Sequence, residues 1–138
     1  MLPQVILTLR ISNTLKLSQI NFEDFDRYEF SFYGHTEELH NKIVNSKQAW
    51  DIIIYNISEL EKNNLKDRIF FQTIITYENL EYISQIIEKI QYFSNAPFKI
   101  IYPYFFPINN LKSLPKKSVI LKKLVSSYNK EVYTHRCI

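Results

Sequence analysis

Five runs of apolar, β-branched and aromatic residues alternate with segments of helical period, and this alternation constrains the fold more than any single motif does. The runs are QVILTLRI (4–11), YEFSFY (28–33), WDIIIYNI (50–57), RIFFQTIIT (68–76) and FKIIYPYFF (98–106). Their lengths and near-continuous apolarity suit strands covered on both faces. Between them, Thr36 is placed to cap a helix through EELHNKIVNSK, with Glu37 and Glu38 near its positive end and Leu39, Ile43 and Val44 as its buried stripe. Ser58 and Glu61 fit an S-x-x-E capping box that opens a short helix ending near Asn63 or Lys66. Leu80, Ile83, Ile86, Ile87, Ile90 and Phe93 recur at helical spacing and predict the clearest helix of the chain. Pro115 suits the first turn of a last helix over about 115–130, with Val119, Leu121, Leu124, Val125 and Tyr128 on its apolar side and a short tail at 131–138. The stretch from Thr14 to Asp26 is poorly periodic: Leu15, Leu17, Ile20, Phe22 and Phe25 offer a helix face, whereas EDFD (23–26) reads as a loop.

Strand and helix alternating in this way predict an α/β three-layer sandwich: a five-stranded parallel sheet of order 2-1-3-4-5 with helices on both faces, the flavodoxin-like arrangement. Functional groups are then expected at the carboxyl ends of the strands. The 138 residues, 46% of them apolar, suit a single domain over 1–138. The wealth of Ile, Asn, Lys and Tyr matches the coding bias of an AT-rich genome.

Composition excludes several chemistries. Gly34 is the only glycine, and Walker loops, dinucleotide fingerprints and G-x-S-x-G elbows all need more than one. His35 and His40 are wrongly spaced to share a helix face, and His135 and Cys137 form an isolated H-x-C, so neither a metal site nor a cofactor is expected. The RISN turn, Arg10 to Asn13, offers little to an FMN phosphate. Glu23, Asp24, Asp26 and Asp51 converge only if the EDFD loop crosses the sheet edge, which leaves no acid and base pair to name. Cys137 is the one cysteine, no basic segment precedes the short apolar start, and no run reaches the ~18 apolar residues of a membrane helix. A soluble, cytoplasmic protein is expected. The net charge of +3 is unevenly spread: no acid lies between Glu88 and Glu131, while Lys89, Lys99, Lys112, Lys116, Lys117, Lys122, Lys123 and Lys130 do.

The span YGHTEELHNKIVNSKQAWDIIIYNI resembles the part of response-regulator receiver domains that runs from the end of the second strand through the third. IIYPYFF resembles the family's strand that ends in lysine, proline and an aromatic. The resemblance implies that Asn56 stands at the phosphoacceptor position, Thr76 (or else Thr73) at the switch hydroxyl, Tyr102 at the lysine, and RISN, with Arg10, where the metal-binding acid pair belongs. Phosphoryl transfer to a carboxylate needs a nucleophilic oxygen, acids holding Mg²⁺ and a neutralising cation; all three are replaced, which is the pattern of a pseudo-receiver.

Two functions are expected from these residues. The first is a non-catalytic receiver-like regulatory module that binds a protein partner, or a second copy through its last strand and helices. Its surface would comprise Tyr102, Tyr104, Phe105, Phe106 and the lysines Lys112, Lys116, Lys117, Lys122 and Lys123. The alternative is a nucleic-acid-associated protein that sets those same lysines against phosphates.

Overall fold

The computed structural model describes residues 4–11, 13, 15–17, 24–103 and 133–137. In chain order the elements are β1 (Thr8–Ile11), β2 (Arg27–Ser31), α1 (Glu37–Val44), α2 (Ala49–Lys62), β3 (Ile69–Ile74), α3 (Ile83–Phe93), β4 (Lys99–Pro103) and β5 (Tyr133–Cys137). Short 3-10 turns, Lys66–Arg68 and Leu80–Tyr82, precede β3 and α3. No helix among the described residues is long and apolar enough to cross a membrane.

The protein is α/β with a parallel sheet, as the alternation of runs predicts, but the strand order is β1-β2-β3-β4-β5 and not 2-1-3-4-5. Each connection steps the same way along the sheet, and right-handed crossovers that all step one way pass over one face. The packing agrees: Ile53, Ile57 and Leu60 of α2 and Ile86, Ile87 and Ile90 of α3 share one core with Tyr28, Phe30, Ile69, Phe71 and Ile100. Among the described residues, α2 and α3 therefore form one layer on one face; the last helix of the expected sandwich lies outside those residues.

The strands' other face mixes polar residues with Phe70, Ile74 and Ile101. Register aligns Arg10, Glu29 and Phe70 in one row and Ser31, Gln72 and Lys99 in the next. The Glu29 carboxylate, only 6% exposed, has Arg10 Nε at 3.6 Å and Lys99 Nζ at 3.7 Å. Arg27 lies 4.0 Å over the Phe70 ring, and Gln72 Nε2 donates to Ser31 Oγ at 3.0 Å. Hence β3 alternates buried and half-buried residues where the sequence suggests two covered faces.

The third predicted strand is a helix. WDIIIYNI lies inside α2, whose buried residues Ala49, Ile52, Ile53, Asn56, Ile57 and Leu60 follow the helical three-four period. A β-branched residue costs a helix only a few tenths of a kcal/mol, whereas burying an isoleucine side chain contributes about 1.5–3 kcal/mol, so packing overrides the propensity. Ser58 sits mid-helix and donates its hydroxyl to the Tyr55 carbonyl at 2.7 Å, so it caps nothing.

The other helices start as their sequences suggest. Thr36 Oγ1 accepts the Leu39 amide at 3.3 Å and caps α1, which ends at Val44 with Asn45 in the left-handed region at φ 58. The buried residue of α1 is His40, while Leu39, Ile43 and Val44 are half-buried. α3 buries Ile83, Ile86, Ile87, Ile90 and Phe93 at the expected spacing. Within the expected tail, Tyr133–Cys137 pairs with β4 as β5. The expected last helix over 115–130 lies outside the described residues.

Asn56 is fully buried, its Oδ1 accepting the Leu17 amide at 2.8 Å and its Nδ2 donating to the Leu15 carbonyl at 2.9 Å. It ties the β1–β2 connection to the middle of α2. Asn56→Asp would set a carboxylate oxygen against that carbonyl, and we expect a loss of about 3 kcal/mol at neutral pH that lessens as the acid protonates. Urea unfolding as a function of pH measures it, and a variant as stable as the parent would contradict the placement.

Candidate functional site

The carboxyl ends of parallel strands are where such sheets present functional groups, and here the ends of β1, β2 and β3 gather Asn13, Tyr33, His35, Thr36, His40, Thr76 and Asn79. The single glycine permits the arrangement. A Cβ on Gly34 would stand 2.5 Å from the His40 nitrogen and 2.9 Å from the Leu39 carbonyl carbon, so the turn leaving β2 lies directly against α1.

That contact seats His40 in the core with no exposed surface. The Tyr33 amide donates to His40 Nδ1 at 3.2 Å, which makes Nδ1 the acceptor and places the ring proton on Nε2, 3.2 Å from Asn13 Oδ1. Asn13 Nδ2 in turn donates to the Ser31 carbonyl at 3.4 Å. The imidazole packs on Phe32 (5.5 Å between centroids), Tyr33 (6.0 Å) and Trp50 (5.9 Å). Burial pushes its pKa down to about 4, so it is neutral at physiological pH and its two nitrogens both serve the fold.

Asn79 does the same work for β3. Fully buried, it donates Nδ2 to the Tyr33 and Ile74 carbonyls at 3.2 and 2.9 Å and accepts the Thr76 amide at 2.8 Å through Oδ1. Thr76 Oγ1 accepts the Asn79 amide at 3.3 Å. The hydroxyl that the receiver resemblance assigns to switching thus belongs to a local turn.

The residues assigned by resemblance to one degenerate pocket sit on separate elements. Asn56 is inside α2, Arg10 is in β1 beside Glu29, Tyr102 is in β4 and Thr76 follows β3. Thr73, the other hydroxyl considered, faces the core of β3 with no hydrogen-bond partner. Of the expected partner surface only Tyr102 falls among the described residues; Tyr104, Phe105, Phe106, Lys112, Lys116, Lys117, Lys122 and Lys123 lie outside them.

Beside the two spent polar groups lies a cleft that the sequence does not announce. His35, Thr36, Glu38, Leu39, Lys42, Glu78, Glu81 and Tyr82 line a hollow of about 520 Å³ between the start of α1 and the turn before α3. The His35 ring lies against Tyr82 with centroids 5.2 Å apart, and its Nδ1 is buried without a partner. On its other side His35 borders a second hollow of about 430 Å³ with Gln85, Glu88, Lys89 and Tyr92. Glu38, Glu78 and Glu81 form no ion pair among the described residues. Nor do any three His, Cys, Asp or Glu side chains among those residues converge as metal ligands. The cleft therefore presents three carboxylates without ion pairs among the described residues, against the single cation Lys42, and two aromatic rings, a chemistry suited to a cation.

Two outcomes follow from the geometry. Gly34→Ala forces α1 away from the turn, and about 1–3 kcal/mol of stability should be lost in urea titration. His40 has a lower pKa folded than unfolded, so below about 6.5 the unfolded chain takes up the proton first; stability should fall by roughly 3 kcal/mol as pH drops from 6.5 towards 4. In His40→Gln that pH dependence should flatten, and an unchanged slope would contradict the neutral imidazole.

No protein-family model, curated protein or solved structure matches the chain, and the reading of the site stands on its own geometry.

Proposed function

We propose that the protein is a non-catalytic interaction module that docks a cationic segment of a protein partner in the cleft at the carboxyl ends of β2 and β3. The observation that carries this reading is the set of carboxylates, Glu38, Glu78 and Glu81, that have no ion pair among the described residues and surround one hollow on a chain whose net charge is +3. Acidic side chains without ion pairs favour a positively charged visitor, and complementary charge steers its approach. Tyr82, 40% exposed, adds a ring face on which an arginine or lysine can rest, and Tyr92 in the neighbouring hollow already carries Lys89 5.7 Å over its ring. The polar groups nearest the strand ends, His40 and Asn79, are already occupied by backbone groups and, at His40 Nε2, by the Asn13 side chain, which supports a binding role over a catalytic one.

A titration of the ¹⁵N-labelled protein with a short arginine-rich peptide, beside a glutamate-rich one of equal length, tests this reading. Saturable shifts at His35, Glu78 and Tyr82 with the basic peptide alone are expected, and they should weaken as salt is raised. Glu78→Gln combined with Glu81→Gln should weaken binding about tenfold, or ~1.4 kcal/mol. Equal response to both peptides, or shifts scattered away from the cleft, would overturn it.

A further inference from the structure

β1 is an edge of the sheet, and no strand among the described residues pairs with its outer side. The Leu7 carbonyl accepts the Asp26 and Arg27 amides at 2.9 and 3.1 Å. In a parallel ladder a residue's N–H and C=O point the same way, so Leu7, Leu9 and Ile11 face β2 while Ile6, Thr8 and Arg10 present theirs outward. Along and just before this open ladder Val5, Ile6 and Leu7 are 77%, 56% and 52% exposed. Natural edge strands are blunted by lysines, prolines or bulges; VILTL, residues 5–9, has none of these and no charge.

We propose that two copies of this chain pair antiparallel through β1, about a two-fold axis at Thr8, and continue the sheet across the dimer. In that register Thr8 meets Thr8 of the other copy, a favourable cross-strand pair, and Ile6 meets the other copy's Arg10. The charge pattern selects this pairing. Arg10, whose side chain is 80% exposed although its Nε lies 3.6 Å from the Glu29 carboxylate, is the strand's only charge. A parallel pairing would align the two Arg10 side chains, whereas the antiparallel one parts them by about 14 Å, beyond the screening length in physiological salt. It also brings each Arg10 to the end of the strand where the other copy's Asp26 carboxylate holds the Leu7 amide, at 2.9 Å within that copy. The pairing is self-complementary and closed, as two-fold assemblies require.

Sedimentation equilibrium with amide exchange tests the proposal. The full chain should sediment as a dimer, and exchange at the Thr8 and Arg10 amides should slow as concentration rises. Thr8→Pro removes only an outward N–H, a change that edge strands tolerate, and should raise the dissociation constant at least about tenfold. Ile6→Lys, at an exposed position before the strand begins, should do the same without touching the ladder to β2. A monomeric wild type, a dimer indifferent to both substitutions, or pairing only with another protein's strand would overturn the proposal. None of these results bears on the cleft, which lies at the opposite end of the strands.

Discussion

Buried side-chain amides and one neutral imidazole pair the backbone groups that this sheet leaves without ladder partners, and the chain's connections depend on them. Asn79 serves the Tyr33 and Ile74 carbonyls and the Thr76 amide, Asn56 serves Leu15 and Leu17, and His40 receives the Tyr33 amide. A buried backbone group left unpaired costs about 1–3 kcal/mol, a large share of the stability of an ordinary domain. Phe32 then fills the space these contacts enclose, touching His40, Trp50, Phe71 and Phe93 with ring centroids 5.5 to 6.1 Å apart.

Because the polar groups at the strand ends are spent on structure, the cleft proposed for binding lies on the flank. His35 is one residue past the turn that Gly34 presses onto α1, and its ring rests on Tyr82 rather than in the core. The same-direction crossovers have a second consequence. With α2 and α3 on one face, the other face of the strands carries Glu29 between two cations, and a buried carboxylate of this kind persists only while its partners stay close.

Much of the fold was legible wherever a period was unambiguous. α3 and the Thr36 cap follow from spacing and cap chemistry, and the runs at 4–11, 28–33, 68–76 and 98–106 each overlap a strand of the parallel sheet. AWDIIIYNI misleads because three adjacent isoleucines look strand-like in a short window; the helical period emerges only when Ala49 and Leu60 are counted with it. Strand order was not legible, since local pattern says nothing about which neighbour a strand takes. YTHRC, at 133–137, lacks an apolar run and becomes a strand only because β4 offers it an edge. The candidate cleft was hidden for a related reason: Glu38, Glu78 and Glu81 come from two segments, and only the return of the chain after β3 sets them around one hollow. His40 was hidden by its neighbours, for nothing in EELHNK marks which polar residue turns inward.

Placing a photo-crosslinking phenylalanine analogue at Tyr82 of the full chain in its native host, with Tyr55 on α2 as the control position, tests the cleft most directly. The account predicts an adduct to a lysine- or arginine-rich segment of one protein from position 82 and none from position 55. Identical adducts from both positions, or capture of nucleic acid from position 82, would contradict it.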